Sequence, residues 1–149
     1  MKGFVCAGAG FLLAVLWFDL MFDVQVLRRP ERELDETVLS SIAAYYRRVT
    51  TTASPMNRLV AAVMLLTLAS IIVEIADGQG PARAGWVSLV LAAAPIGVAG
   101  ARTVPSAVRL GTRTDPPDRQ SELARAICRQ HLFCFASILG LLVVQLAAA

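Results

Sequence analysis

At residues 59–73 the chain reads LVAAVMLLTLASIIV, a run with two hydroxyl side chains and no charge. Such a run lacks the polar face that a surface helix of a soluble protein needs. Three more segments approach the roughly 20 apolar residues that cross a bilayer as a helix. The predicted spans are about residues 3–27, 56–75, 85–101 and 123–147. We therefore predict an all-α membrane protein, one domain over residues 1–149, folded as an antiparallel four-helix transmembrane bundle.

The composition agrees with a membrane protein. Of the 149 residues, 56% are hydrophobic, and the net charge is +3. A soluble core of buried helices is the alternative, but the run at residues 59–73 argues against it. No pattern of basic residues interleaved with aromatic ones indicates nucleic acid as a partner. The positive charge instead fits membrane topology and attraction to anionic lipid.

Arginines are concentrated in two of the three segments between spans. The first carries Arg28, Arg29, Arg32, Arg47 and Arg48, and the third carries Arg109, Arg113 and Arg119. The short second segment has only Arg83. The positive-inside rule then places loops 1 and 3 in the cytoplasm and both termini outside. The Ala- and Arg-rich composition is typical of GC-rich bacterial genomes, so the predicted location is the bacterial cytoplasmic (inner) membrane.

The first loop contains a predicted cytoplasmic amphipathic helix at about residues 34–50. Apolar residues recur there at helical spacing, acidic residues stand near the start, and Arg47 and Arg48 stand near the end, as the helix dipole favours. This helix would lie on the membrane or cap the bundle. The third loop, which contains Pro116 and Pro117, is interpreted as an irregular connector.

Span 3 carries a stripe of small residues: Ala93, Gly97, Gly100 and Ala101. Small side chains at a spacing of four let helix backbones approach closely in a bilayer. The stripe predicts close packing, either within this chain or against a partner. Pro95, in the same span, predicts a kink and a freed backbone carbonyl.

Ionisable residues inside the spans form the candidate site. Asp19 and Asp23 lie one turn apart in span 1, and Arg129 and His131 lie in span 4. With a rise of about 1.5 Å per residue, all four lie about 6 to 12 Å inside the same membrane edge. Charged groups at such depth usually face the bundle interior and pair with each other. One reading is a structural layer, with an Asp23–Arg129 salt bridge that fixes helix register.

The other reading is a binding or catalytic site. Asp19, Asp23 and His131 are then the candidate catalytic residues, because a histidine beside a carboxylate can act as a general base. Arg129 would bind an anionic or phenolic head group. Near the same edge of the bundle lie three further candidate ligand-binding residues: Asn57, Arg58 and Arg102.

Metal chemistry is a further alternative at span 4. Cys128, His131 and Cys134 follow each other at intervals of three, which spreads them too widely to bind one ion together. His131 and Cys134 with a carboxylate from span 1 would suit a transition metal, and His131 alone could be an axial haem ligand. No motif in the chain requires a cofactor.

The start of the last span reads Arg-x-x-x-Arg-x-His, at Arg125, Arg129 and His131. In this feature, in length and in the four spans, the chain resembles small four-span membrane proteins of the anthrone-oxygenase-like type. That resemblance implies oxygenation or binding of a flat aromatic substrate without an obvious organic cofactor.

Two classes of function follow. The first is a non-catalytic subunit, assembly factor or accessory factor of a membrane complex, with a buried polar layer. Its partners would be the bilayer and other membrane subunits, or a second copy, at the small face of span 3 or the helix of the first loop. The second is a small membrane enzyme or binder of an amphiphilic, quinone-like molecule at the Asp/Arg/His site. The absence of any recognised catalytic motif favours the first class.

Overall fold

The fold was analysed in a computed structural model that describes residues 1–27, 29, 31–52 and 54–148. Within these residues every regular element is a helix, which confirms the predicted all-α class. Arg28, one of the arginines used to predict topology, lies outside the described residues. The α-helices of the described residues are α1 (Lys2–Asp23), α2 (Glu36–Arg47), α3 (Ser54–Ala76), α4 (Ala82–Val98), α5 (Val104–Thr112) and α6 (Pro117–Ala147).

In the described part of the chain, four helical stretches are long and apolar enough to cross a membrane, as predicted: Lys2–Val26, Pro55–Ala76, Ala82–Thr112 and Pro117–Ala147. Their mean hydropathy lies between 1.7 and 2.5. The helices α1, α3, α4 and α6 contact each other in a closed ring, in which α1 packs on α3 and α6, and α4 packs on the same two helices. A regular antiparallel arrangement of the four spans stays a prediction.

The third helical stretch is longer than predicted. The predicted span ended near Ala101, but α4 continues through a π-helical segment, Ala99–Thr103, into α5. Pro105, the second residue of α5, directly follows the π-helical segment and does not stop the helix. The stretch ends at Arg113, which adopts a left-handed conformation with φ 55°. The irregular third loop is thereby reduced to the short connection between α5 and α6.

The predicted amphipathic helix is present as α2, followed by a π-helical segment, Arg48–Thr52. Its apolar face packs on α5 and on the start of α6, so that this helix caps the spans. We call the resulting cluster the cap core: Val26, Leu34, Val38, Leu39, Ile42, Ala43, Tyr46, Ala107, Leu110, Ala124, Ile127 and Cys128. A second cluster between the spans, the membrane core, consists of Val5, Ala9, Leu12, Ile71, Ala92, Ile138 and Leu141.

Close helix approaches occur at glycines other than those of the predicted stripe. A Cβ added to Gly111 of α5 would lie 3.0 Å from the backbone nitrogen of Arg47, so this glycine lets α5 lie directly on α2. A Cβ on Gly8 would overlap the Thr67 side chain. Gly97 and Gly100 have nothing within 4 Å of that position, and the whole stripe of span 3 is exposed. Packing of the stripe within this chain, one of the two expectations, is therefore wrong.

Candidate functional site

Asp23 lies at the centre of a buried group of polar side chains. Its side chain is fully buried, and it accepts a hydrogen bond from the Tyr46 hydroxyl over 2.6 Å. Its other carboxylate oxygen lies 2.6 Å from His131 Nδ1. Both oxygens are thus occupied by groups on other helices, which links α1 to α2 and to α6.

Asp19, one turn earlier in α1, repeats part of this arrangement. It accepts a hydrogen bond of 2.6 Å from the Tyr45 hydroxyl, and its second oxygen lies 3.9 Å from His131 Nε2. Phe22 stacks on the Tyr45 ring with centroids 4.1 Å apart. We call the five residues Asp19, Asp23, Tyr45, Tyr46 and His131 the polar cluster.

The two tyrosines act as donors from α2. Burial and the negative charge of Asp23 raise the pKa of Tyr46 above its ordinary value, and burial and Asp19 raise that of Tyr45. Both hydroxyls therefore stay protonated and can donate to the carboxylates at any physiological pH. A buried tyrosine hydroxyl usually needs such a partner.

The structure brings together three of the four residues of the predicted layer. Asp19, Asp23 and His131 meet, but Arg129 is exposed and forms no hydrogen bond or ion pair with either carboxylate. The predicted Asp23–Arg129 salt bridge is wrong, because Arg129 is two residues before His131 and so points to the other side of α6. Tyr45 and Tyr46 were not among the predicted site residues; both lie in the helix predicted for the first loop.

The other predicted ligand-binding residues lie outside the polar cluster. The Asn57 side-chain amide donates to the Val49 carbonyl and so closes the turn between α2 and α3. Arg58 is exposed at the start of α3. Arg102 lies near Arg129, and these two arginines line a groove of about 400 Å³.

The predicted metal ligands do not face each other. The Cys134 thiol is 3.7 Å from the Pro95 carbonyl oxygen, to which it donates, while both ring nitrogens of His131 face carboxylates. In the part of the chain that the structure describes, no group of three or more His, Cys, Asp and Glu side chains is placed to hold a metal ion. The geometry suits a link between helices better than a metal or haem site.

A second buried polar group, which the sequence analysis did not predict, lies at the opposite end of the spans. The Gln145 amide of α6 donates to Ser88 Oγ over 3.0 Å and to Glu74 Oε2 over 3.3 Å. Glu74 is only 3% exposed, although its position at the end of an apolar run is typical of the membrane interface. Lys2 donates to the Ala148 carbonyl at this same end. We call it the far end, and the end that carries α2 the cap end.

Among known protein families, the chain matches a family model described as "SHR3_chaperone: ER membrane protein SH3", over residues 1–148. No curated protein and no solved structure matches the chain.

This match corrects two expectations. The resemblance to anthrone-oxygenase-like proteins is wrong, because the matched family is a different one and covers the whole described length. The bacterial inner membrane is wrong as the location, because the family is one of endoplasmic reticulum (ER) membrane proteins. The description as a membrane chaperone supports the broader expectation of an accessory membrane protein with other membrane proteins as partners.

Proposed function

The chain belongs to the SHR3 chaperone family of ER membrane proteins, and we propose that it is a non-catalytic chaperone for other polytopic membrane proteins. The family match over residues 1–148 is the observation that carries this proposal. Amino acid permeases are the client class that we propose to test first.

The geometry of the polar cluster supports a non-catalytic role. A general base needs a free lone pair facing a substrate, and a binding site needs groups that are not already paired. Here both Asp23 oxygens are engaged by Tyr46 and His131, and the second ring nitrogen of His131 faces Asp19 from a side chain that is only 6% exposed, so neither residue presents a lone pair to the surface. Neither of the two grooves described on the surface is lined by a member of the cluster. These side chains are therefore better suited to holding three helices together.

We propose that clients dock on the small-residue stripe of α4 and the π-helical segment after it. Ala93, Gly97, Gly100 and Ala101 are all exposed, so a helix of another membrane protein could pack closely against them. Close packing is the main source of helix association in a bilayer, where the hydrophobic effect between helices is absent. The stripe thus allows the backbone of a client helix to approach more closely than the leucine-rich surfaces of the same chain do.

The test uses an amino acid permease inserted into ER microsomes with or without this protein. The aggregated fraction of the permease is measured by native electrophoresis after solubilisation in mild detergent. Gly97→Leu blocks the stripe, and Gly10→Leu is the matched control, because Gly10 is also exposed with nothing within 4 Å but lies on α1. We expect the wild-type protein and Gly10→Leu to lower the aggregated fraction equally, and Gly97→Leu to do so much less.

The two parts of the proposal fail separately. If the wild-type protein leaves permease aggregation unchanged, the chaperone role for this client class is wrong. If it lowers aggregation but the two glycine variants behave alike, the role stands and the docking surface is wrong.

A further inference from the structure

A groove of about 400 Å³ opens on the outer surface between the end of α4 and the middle of α6. Its walls are formed by Val98, Arg102, Ala126, Arg129, Gln130 and Phe133. We call it the arginine groove. It combines two cations with an apolar wall.

The two arginines of this groove have no anionic partner among the described residues, whereas those of the neighbouring groove do. Next to it, a groove of about 330 Å³ contains Arg109 and Arg119. Arg109 pairs with Asp115 over 2.6 Å, and Arg119 pairs with Glu122 over 2.7 Å. Among residues 1–27, 29, 31–52 and 54–148, Arg102 and Arg129 form no such pair and no side-chain hydrogen bond. Their charge is therefore available to an external anion.

Both arginines lie about one hydrocarbon thickness along their helices from the far end. Arg102 is about 20 residues from Ala82, where α4 begins at the far end, which corresponds to about 30 Å along a helix. Arg129 is about 18 residues from Ala147, where α6 ends, or about 27 Å. The hydrocarbon core of a bilayer is about 30 Å thick. If the helices start at one edge of that core, both guanidinium groups reach the other edge.

The apolar part of the groove lies deeper than its charged part. Val98, the last residue of α4, precedes Arg102 of the π-helical segment by four residues, and Phe133 follows Arg129 by one turn of α6, so both are about 6 Å closer to the middle of the bilayer. Phe133 is exposed, which leaves its ring free to contact a chain from outside. A phospholipid has the matching order, with its phosphate at the edge of the bilayer, level with the arginines, and its acyl chains deeper, level with the apolar side chains.

From this arrangement we infer that the arginine groove binds one anionic glycerophospholipid. Arg102 and Arg129 would hold the phosphate with charge-assisted hydrogen bonds, for which the planar guanidinium is well suited. An acyl chain would lie along Val98 and Phe133. A lipid fits better than free phosphate, because the free anion would leave the apolar wall unused. The inference does not depend on the chaperone role.

The test is native mass spectrometry of the full chain in mild detergent, with dioleoyl phosphatidylinositol or dioleoyl phosphatidylcholine added at equal concentrations. The groove variant is Arg102→Gln/Arg129→Gln. The matched control is Arg47→Gln/Arg48→Gln, which removes two exposed arginines of the cap end that do not line the groove. Two arginines near a membrane surface together favour an anionic lipid, so we expect the wild-type protein and the control to retain one phosphatidylinositol about thirtyfold better than phosphatidylcholine.

We expect the groove variant to lose this preference, and excess inorganic phosphate not to displace the lipid from the wild-type protein. An equal loss in both double variants would mean general attraction of the basic surface and would overturn the inference. Displacement by inorganic phosphate would also overturn it, in favour of a site for free phosphate.

A measurement on the wild-type protein alone guards against a groove variant that fails to fold. Phosphatidylinositol with a photoreactive diazirine on one acyl chain should crosslink to the α6 peptide that contains Phe133 and the α4 peptide that contains Val98. Crosslinks confined to α1 and α3 would contradict the proposed site.

Discussion

The cap core and the membrane core are built on different physical principles. In the cap core, large side chains such as Leu39, Ile42, Leu110 and Ile127 are almost completely buried between α2, α5 and α6. Between the spans, the membrane core is smaller, and many large apolar side chains such as Leu65, Leu66 and Val143 point outward. Outward apolar side chains are costly in water and natural in lipid.

The comparison teaches where the hydrophobic effect acts in this molecule. We call α2, packed on α5 and the start of α6, the cap. Residues of the cap core leave water when the cap forms, so each buried aliphatic side chain contributes about 1.5 to 3 kcal/mol to its stability. The membrane core exchanges lipid contacts for protein contacts and gains little from that effect. The spans are instead linked by buried hydrogen bonds at both ends. Glu74 binds Gln145 at the far end, and the polar cluster lies at the cap end.

The largest expected effect comes from truncating a fully buried side chain in each core. We expect Ile42→Ala to destabilise the cap by about 2 to 5 kcal/mol, because it leaves a cavity and loses transfer free energy. Leu141→Ala, equally buried in the membrane core, should cost clearly less. Hydrogen exchange of α2 and α6 amides in detergent measures both changes. Equal losses of stability in the two variants would contradict the proposed difference between the cores.

A smaller effect is expected from filling a glycine contact in the cap. Gly111→Ala places a methyl group 3.0 Å from the Arg47 nitrogen, so α5 must move away from α2, at a cost of about 1 to 3 kcal/mol. Gly97→Ala, on the exposed stripe, is the matched control and should leave the exchange of α2 unchanged. Unchanged exchange in Gly111→Ala would mean that α2 and α5 do not pack as closely as described.

The smallest effect is expected at the ion pair of Arg109 and Asp115, in which the arginine side chain is 60% exposed and the aspartate side chain 14%. The hydrogen bond from Arg109 holds the pKa of Asp115 below its ordinary value, so any contribution of the charged form is complete at neutral pH and is lost only as the pH falls through that lowered pKa. Because water screens this pair, Asp115→Asn should not measurably change the thermal unfolding of the protein at pH 7. A clear drop in the unfolding temperature would show that the connection between α5 and α6 matters more than its exposure suggests.

The sequence was sufficient to predict the helical class, the four spans and the helix of the first loop, because each depends on apolar periodicity within one segment. It also identified Asp19, Asp23 and His131, since charges within apolar runs stand out. It could not identify their partners. By charge, Arg129 was the expected partner of Asp23, but its side chain points to another side of α6. Tyr45 and Tyr46 reach the two carboxylates only because α2 packs back onto α1. Likewise, Gly8 and Gly111 make close contacts without any repeating pattern, whereas the patterned glycines of α4 remain exposed.

The central claim is that the polar cluster holds the cap on the spans. A double-mutant cycle on Asp23→Asn and Tyr46→Phe tests it, with hydrogen exchange of the α2 amides as the measurement of cap stability. If the 2.6 Å hydrogen bond between these side chains stabilises the cap, each single variant should speed exchange in α2. The double variant should then cost less than the sum of the two, by about 1 kcal/mol or more. Strictly additive losses, or α2 exchange unchanged in Tyr46→Phe, would contradict the claim.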